Sequence, residues 1–196
     1  MSLLEISKKR QQTAHKIMSN LNLVPILSEV GDVHLVGSVV HGTVLKLDID
    51  FHIELNKKYT AKEAVKYVRK HLTDSHIHDI TTSVYKHLNG IVMECMYASR
   101  GDWSIDMFLC EGDLKSKRHE SWIAKLMTTP KLKNILKLKA HYLRKKMLRM
   151  GMSYWIYEAV LKYGIKTHKD FEKHLFEQRQ LTMDYFKKKS IRKNVI

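Results

Sequence analysis

Two prolines and eight glycines in 196 residues are too few for a collagenous, low-complexity or linker-rich chain. The two cysteines, Cys95 and Cys110, cannot make a disulfide framework. No stretch approaches the roughly 18 consecutive apolar residues of a membrane helix. Near the start, Lys8, Lys9, Arg10, Gln11 and Gln12 interrupt the apolar run that a signal peptide needs. These absences exclude secreted disulfide scaffolds, membrane-spanning chains and wholly disordered or low-complexity chains. What remains is a mixed globular fold, 44% apolar and long enough for one core, with a cytoplasmic location and no membrane contact as the expectation.

Acidic residues are scarce in only one half of the chain. Residues 1 to 110 carry 13 Lys/Arg against 12 Asp/Glu, whereas residues 111 to 196 carry 22 against 8, so nearly all of the +15 net charge lies in the second half. Such an excess favours polyanionic partners: nucleic acid, nucleotide phosphates or an acidic protein. A solvated helical face with no ligand would have the same composition.

Hydrophobic periodicity divides the chain at the same place. Leu3, Ile6, Ala14, Ile17, Met18 and Leu21 fit one face of a helix that Ser2 can cap. The character changes after Pro25. Val33 to Val36 form a short apolar strand, and Leu47 to Leu55 alternate, with Asp48, Asp50, His52 and Glu54 interleaving with Ile49, Phe51 and Ile53. Thr60 with Glu63 is a capping box that opens a helix to Leu72. Strands are predicted over Ile77 to Leu88 and Ile91 to Ala98, meeting at Asn89-Gly90, and over Trp103 to Cys110 after a Ser99 to Asp102 turn.

Beyond Gly112 the period becomes helical. One helix is expected over Leu114 to Met127 and a second from Thr129-Pro130 through Met147, ended by Gly151. A third runs from Ser153 to Tyr163 and stops at Gly164, and Thr167 with Asp170 caps a last one through Phe171, Leu175 and Leu181, before a basic tail over Lys187 to Ile196. The expected organisation is an α/β domain over 1–112, with a small, mixed, mostly antiparallel sheet and flanking helices, then a helical lobe over 113–196.

The sharpest local signal is Val36-Gly37-Ser38-Val39-Val40-His41-Gly42 followed by Asp48-Ile49-Asp50. A strand that ends in Gly-Ser and enters a turn lets backbone N–H groups and a hydroxyl approach a phosphate, because glycine has no Cβ in the way. Aspartates at i and i+2 of a strand share one face, roughly 6 to 7 Å apart at Cα. That spacing suits carboxylates sharing two divalent ions roughly 3.5 to 4 Å apart. A third carboxylate is available in Asp106, set among Ile105, Met107 and Phe108, where a charge is costly unless it is paired or binds metal. With a four-residue turn at 99 to 102, Ala98 would pair with Trp103 and Asp106 would face Cys95, which turns Glu94 to the opposite face.

These residues resemble the DNA polymerase beta-like nucleotidyltransferase superfamily, whose pattern is an apolar strand, Gly-Ser, a turn with glycine, Asp-x-Asp and a later strand aspartate. The resemblance covers roughly residues 30 to 110, and the helical lobe is similar to that of small-molecule enzymes of the aminoglycoside and lincosamide type. It implies transfer of a nucleoside monophosphate, AMP from ATP or its counterpart from another NTP, to a hydroxyl, with release of pyrophosphate. Asp48 and Asp50 would hold two Mg²⁺ ions, with Mn²⁺ as an alternative. Asp106 would bind the catalytic ion and help deprotonate the acceptor, while Gly37, Ser38, His41 and Gly42 would contact the nucleotide. His41 stands where many members have a long basic residue, and Leu47 where serine is common. The acceptor is expected to be a small molecule; RNA is the alternative, as is a non-catalytic module that binds nucleic acid or a partner protein, and a homodimer is left open.

The same residues have plainer readings. An Asp-x-Asp can be the polar face of an edge strand, and Gly37-Ser38 a turn with a helix cap. His71, His76, His78 and His87 have neither cysteine partners nor a zinc spacing. Cys95 and Cys110 are expected to be buried free thiols, and the Met and Tyr residues over 142 to 157 to be core. Of the basic run Lys139, Arg144, Lys145, Lys146 and Arg149, most should be solvated, with one available to face a triphosphate.

Overall fold

A computed structural model describes residues 1–85, 89–99, 101–112, 116–148 and 152–178, with the side chains of 116–120 outside the description. Two compact units divide the chain, Met1–Lys125 and Leu126–Ile196.

The first unit begins with α1, Leu3–Asn20. The Ser2 hydroxyl accepts from the Glu5 N–H and the Glu5 carboxylate accepts from the Ser2 N–H at 2.7 Å, so two orphan donors of the first turn are satisfied. A short helix absent from the periodicity reading follows, α2, Leu23–Ser28. Pro25 does not end it, because the residue sits in the first turn, where its missing N–H has no partner to lose. The strands are β1, Gly31–Val36; β2, Asp48–Leu55; β3, Ile77–Tyr85; β4, Gly90–Ala98; and β5, Asp102–Cys110. Helix α3, Ala61–His71, lies between β2 and β3 in sequence and opens on the Thr60–Glu63 capping box.

The sheet order is β1-β2-β5-β4-β3, with β2 and β5 parallel and every other pair antiparallel. This is the mixed, mostly antiparallel α/β sheet with flanking helices. One face forms the core: Ile49, Phe51 and Ile53 of β2 and Ile105, Met107 and Leu109 of β5 are fully buried with Ile17, Leu23, Leu27, Ala64 and Val68 of α1, α2 and α3. Burying each such aliphatic or aromatic side chain is worth roughly 1.5 to 3 kcal/mol. The helices cover that face and leave the alternate residues of β2 to the other.

Two turns differ from expectation. The register pairs Ala98 with Asp102 and Tyr97 with Trp103, not Ala98 with Trp103, because the connection is one residue shorter. The Ser99 N–H donates to the Gly101 carbonyl at 3.1 Å, and Gly101, at φ +118°, takes a conformation open to glycine. At the other hairpin the last pair is Tyr85 with Gly90, so Gly90 opens β4 instead of closing a two-residue turn. The expected extension of that strand to Leu88 lies outside the described residues.

After α4, Ser116–Leu126, the second unit contains α5, Thr129–Arg144, α6, Met152–Tyr163, and α7, residues 168–178. Helix α5 stops at Arg144, short of Gly151. Lys146 takes a left-handed φ of +54°, and the N–H groups of Lys146 and Met147 bond back to Leu143 and Tyr142. Met147 therefore leaves the apolar stripe and is half exposed. Thr167 and Asp170 pair at 2.6 Å at the start of α7. Leu181, Gly151, Arg149 and the basic tail lie outside the described residues. Among the described residues, no helix is long and apolar enough to cross a membrane.

Candidate active site

The alternation of β2 turns Asp48 and Asp50 to the face that α1, α2 and α3 leave uncovered. The parallel pairing with β5 then sets Asp50 directly beside Asp106 and Asp48 beside Ser104. Parallel neighbours in register share a face, so the three aspartates lie on one face of two adjacent strands. The Ser104 hydroxyl donates to Asp106 Oδ1. Lys46 Nζ lies 3.6 Å from Asp48 Oδ2, an ion pair with its lysine half exposed.

The turn after β1 closes on this pair from the outer flank. The Ser38 hydroxyl donates to Asp48 Oδ1 at 3.1 Å. Gly37 has a φ of +74°, and a Cβ there would stand 2.6 Å from Asp50 Oδ2. Only glycine fits a backbone so close to that carboxylate. Gly42, at φ +64°, is needed for its conformation, since a Cβ there meets nothing nearer than 3.8 Å. His41 and Ser38 are buried, and the His41 N–H bonds the Gly37 carbonyl at 3.4 Å. Val39 and Val44 are fully buried and anchor the turn to the core.

One face of α1 also holds the turn, a contribution that periodicity did not reveal. Ser7 Oγ donates to the Gly42 carbonyl at 2.7 Å, Gln11 Nε2 to that of Val39 at 2.6 Å, and the Arg10 guanidinium to that of Leu45. Residues 7, 10 and 11 stand at i, i+3 and i+4, so one helical face satisfies three carbonyls of an irregular segment. The polar interruption that argues against a signal peptide is in part this clamp. Its sequence signal was Ser7, a serine among the apolar residues of α1, and it is fully buried.

The shifted hairpin register overturns the expected position of Glu94. Asp106 pairs with Glu94, and Cys95 with Ile105. Glu94 thus shares the face of Asp106, and a row of side chains crosses the sheet as Asp50, Asp106, Glu94 and Thr81, whose hydroxyl lies 3.5 Å from Glu94 Oε2. Cys95 points to the core face, where burial, helped by the charge of Asp106, pushes its thiol up to about 12. Cys110 is also buried and its thiol raised, first by burial and then by Glu54. Both are free, inert thiols.

Asp48, Asp50 and Asp106 could hold divalent metal: three hard carboxylate donors on one face, with a glycine cradle at Gly37 that a side chain would fill. A separate group lies farther along the same face. Asp32, His34 and Glu54 offer ligand atoms within 4.8 Å of one another. Glu54 is four residues from Asp50, roughly 13 Å along the strand. Asp32 Oδ2 sits 3.3 Å from His34 Nε2 on an edge strand, where charged side chains such as Asp32 discourage pairing with another chain. In the second unit Lys139 is buried, with Nζ 5.6 Å from the centre of the Tyr157 ring, whereas Arg144, Lys145 and Lys146 are exposed.

The five-stranded mixed sheet with its flanking helices is a nucleotidyltransferase fold. Among solved structures, the chain is similar to Cid1 poly(U) polymerase with Mg and 3'-dATP bound, at a TM-score of 0.59 and 17% identity over 79% of this chain and 49% of that one. A mutant of that enzyme bound to MgATP gives 0.60 and 16% over 80% and 51%. A third structure, also of Cid1 and described by its RNA terminal uridylyl transferase activity, gives 0.59 and 16% over 80% and 48%. The chain spans about half the length of these proteins. No family model matches the sequence, and no curated protein aligns with it significantly.

Proposed function

We propose that this chain is a metal-dependent nucleotidyltransferase that adds a nucleoside monophosphate from an NTP to a hydroxyl at the end of an RNA, releasing pyrophosphate. The observation that carries the reading is the register of Asp50 with Asp106 on adjacent parallel strands, with Asp48 on the same face and the Gly37-Ser38 turn against both.

Asp48, Asp50 and Asp106 would hold Mg²⁺ or Mn²⁺, which would supply the Lewis acidity that neutralises charge developing on the phosphates. Gly37 and Ser38 bring backbone N–H groups and a hydroxyl to the triphosphate, and the α1 clamp through Ser7, Arg10 and Gln11 keeps that turn rigid. The acceptor oxygen forms its bond to the α-phosphorus, and the bond from that phosphorus to the bridging oxygen breaks. Pyrophosphate leaves, and the hydroxyl proton passes to Asp106.

RNA is favoured as acceptor over a small molecule on two grounds. The fold neighbour Cid1 is described as a poly(U) polymerase with RNA terminal uridylyl transferase activity, and the 22 to 8 basic excess of residues 111–196 suits a polyanion. Nothing comparable supports an aminoglycoside or lincosamide acceptor. The test incubates the chain with labelled NTPs, Mg²⁺ or Mn²⁺, and in parallel a short RNA, an aminoglycoside and a lincosamide. Label should appear in lengthened RNA. Label in the antibiotic would reverse the choice of acceptor, and no transfer to any of them would remove the catalytic reading.

A further inference from the structure

We infer that Glu94 binds the terminal ribose of the acceptor and that acceptors enter over β4 and β3, on the opposite flank from the nucleotide phosphates; this rests on the nucleotidyltransferase reading above. The sheet itself provides the direction. The Gly37-Ser38 turn follows β1 and touches Asp48 and Asp50 of β2, so the phosphate-holding groups occupy the β1 flank of the aspartates. Asp106 on β5 comes next, and beyond it lie only β4 and β3. A hydroxyl that is to reach Asp106 without crossing the triphosphate approaches from that side.

On that side the side chain paired with Asp106 is Glu94. Directly opposed residues on antiparallel strands have Cβ atoms roughly 4.5 to 5.5 Å apart. Two like charges so placed repel, and Asp50 on the other side of Asp106 adds a third. A carboxylate in that position lowers the stability of the sheet, and among the described residues the Thr81 hydroxyl gives it a long contact of 3.5 Å. Such a residue is explained by a ligand that brings donors. A ribonucleotide 3' end brings two adjacent hydroxyls: with one at Asp106, its neighbour falls within reach of Glu94, which can only accept hydrogen bonds when ionised. The 2'-hydroxyl is the group that separates RNA from DNA, so Glu94 would make the site selective for ribose-terminated acceptors.

The test uses the intact chain, an NTP mixture with Mg²⁺ or Mn²⁺, and two primers of one sequence, one all-RNA and one with a 2'-deoxy 3'-terminal residue. The parent should favour the ribo primer by roughly ten- to hundredfold, the worth of one charge-assisted hydrogen bond. Glu94→Ala should bring that ratio near one and raise KM for the ribo primer while leaving KM for the NTP unchanged. Glu94→Gln, which keeps an accepting oxygen, should recover part of the preference. Thermal unfolding of both variants should match or exceed the parent. A preference unchanged in Glu94→Ala, or no preference in an active parent, overturns the role of Glu94 alone. A parent that binds NTP but extends neither primer overturns the transferase reading and this inference with it.

Discussion

The two faces of the central strands were built from the same eight or nine residues and answer to different physics. On β2, Ile49, Phe51 and Ile53 are fully buried, while Asp48, Asp50, His52 and Glu54 between them are partly open. On β5, Trp103, Ile105, Met107 and Leu109 are buried, and Ser104, Asp106 and Phe108 alternate with them. The core face supplies the packing that stabilises the fold. The open face gathers the carboxylates of Asp48, Asp50 and Asp106, whose charges repel one another, and it persists because the other face holds the strands in place. Stability and chemistry are thus separated by one residue along the chain.

The sharpest way to break this comparison is to change neighbours on opposite faces. Asp50→Asn should cost at least about a thousandfold in turnover, or about 4 kcal/mol of transition-state stabilisation, with an unfolding midpoint equal to or above the parent, because one repulsive charge is gone. Steady-state kinetics and thermal unfolding on one preparation check both parts. A variant that lost stability and activity together would show that Asp50 belongs to the packing. Phe51→Ala, one residue away, should do the reverse. It should destabilise by about 3 to 5 kcal/mol, read as a lower denaturant midpoint, while the folded fraction keeps its affinity for NTP.

A smaller effect is expected at the join between the faces. Gly37→Ala places a methyl against Asp50 Oδ2 and forces a left-handed backbone, at a cost of about 1 to 2 kcal/mol. Metal-dependent NTP binding should fall far more than stability does, as titration with and without Mg²⁺ would reveal. Next comes the basic surface. Changing the exposed Arg144, Lys145 and Lys146 together to glutamine should flatten the log-log salt dependence of RNA binding by roughly 0.7 for each phosphate that is no longer neutralised, with NTP affinity unchanged. A parent whose RNA affinity ignores salt would sever that surface from the acceptor.

The smallest effect concerns the thiols. With its thiol raised to about 12, Cys95 is almost wholly protonated at pH 8, and Cys110 is buried and raised as well. Neither should react with a thiol reagent until the protein unfolds, when both should. Partial reaction of Cys110 alone in the native state would locate the first breathing motion at the end of β5 and not in the core.

Much of this was legible in residue order. Period two over Leu47 to Leu55 requires Asp48 and Asp50 to share a face, whatever the rest of the chain does, because side chains alternate along a strand. The Thr60–Glu63 box and the Ser2 cap needed only a few residues each, since capping is local chemistry; that Glu5 completes a box with Ser2 came from the structure. Helix α2 was not legible because a proline in a first turn has the same one-letter appearance as a proline that ends a helix. The clamp of Ser7, Arg10 and Gln11 on the carbonyls of Val39, Gly42 and Leu45 joins groups 28 to 35 residues apart, a distance that no local pattern encodes.

The amino-acid order by itself determined which residues of each strand lie on a common face, where the capped helices begin and that the charge gathers in the second half. Tertiary structure alone decided which strands are neighbours and in what register. Asp106 meets Asp50 because β5 lies parallel to β2, and Glu94 faces Asp106 because the turn before β5 is one residue shorter than the sequence suggests. A side-chain period of two makes a one-residue shift in pairing reverse the face of every residue, so the register of a single hairpin determined whether the row beside Asp106 presents a thiol or a carboxylate.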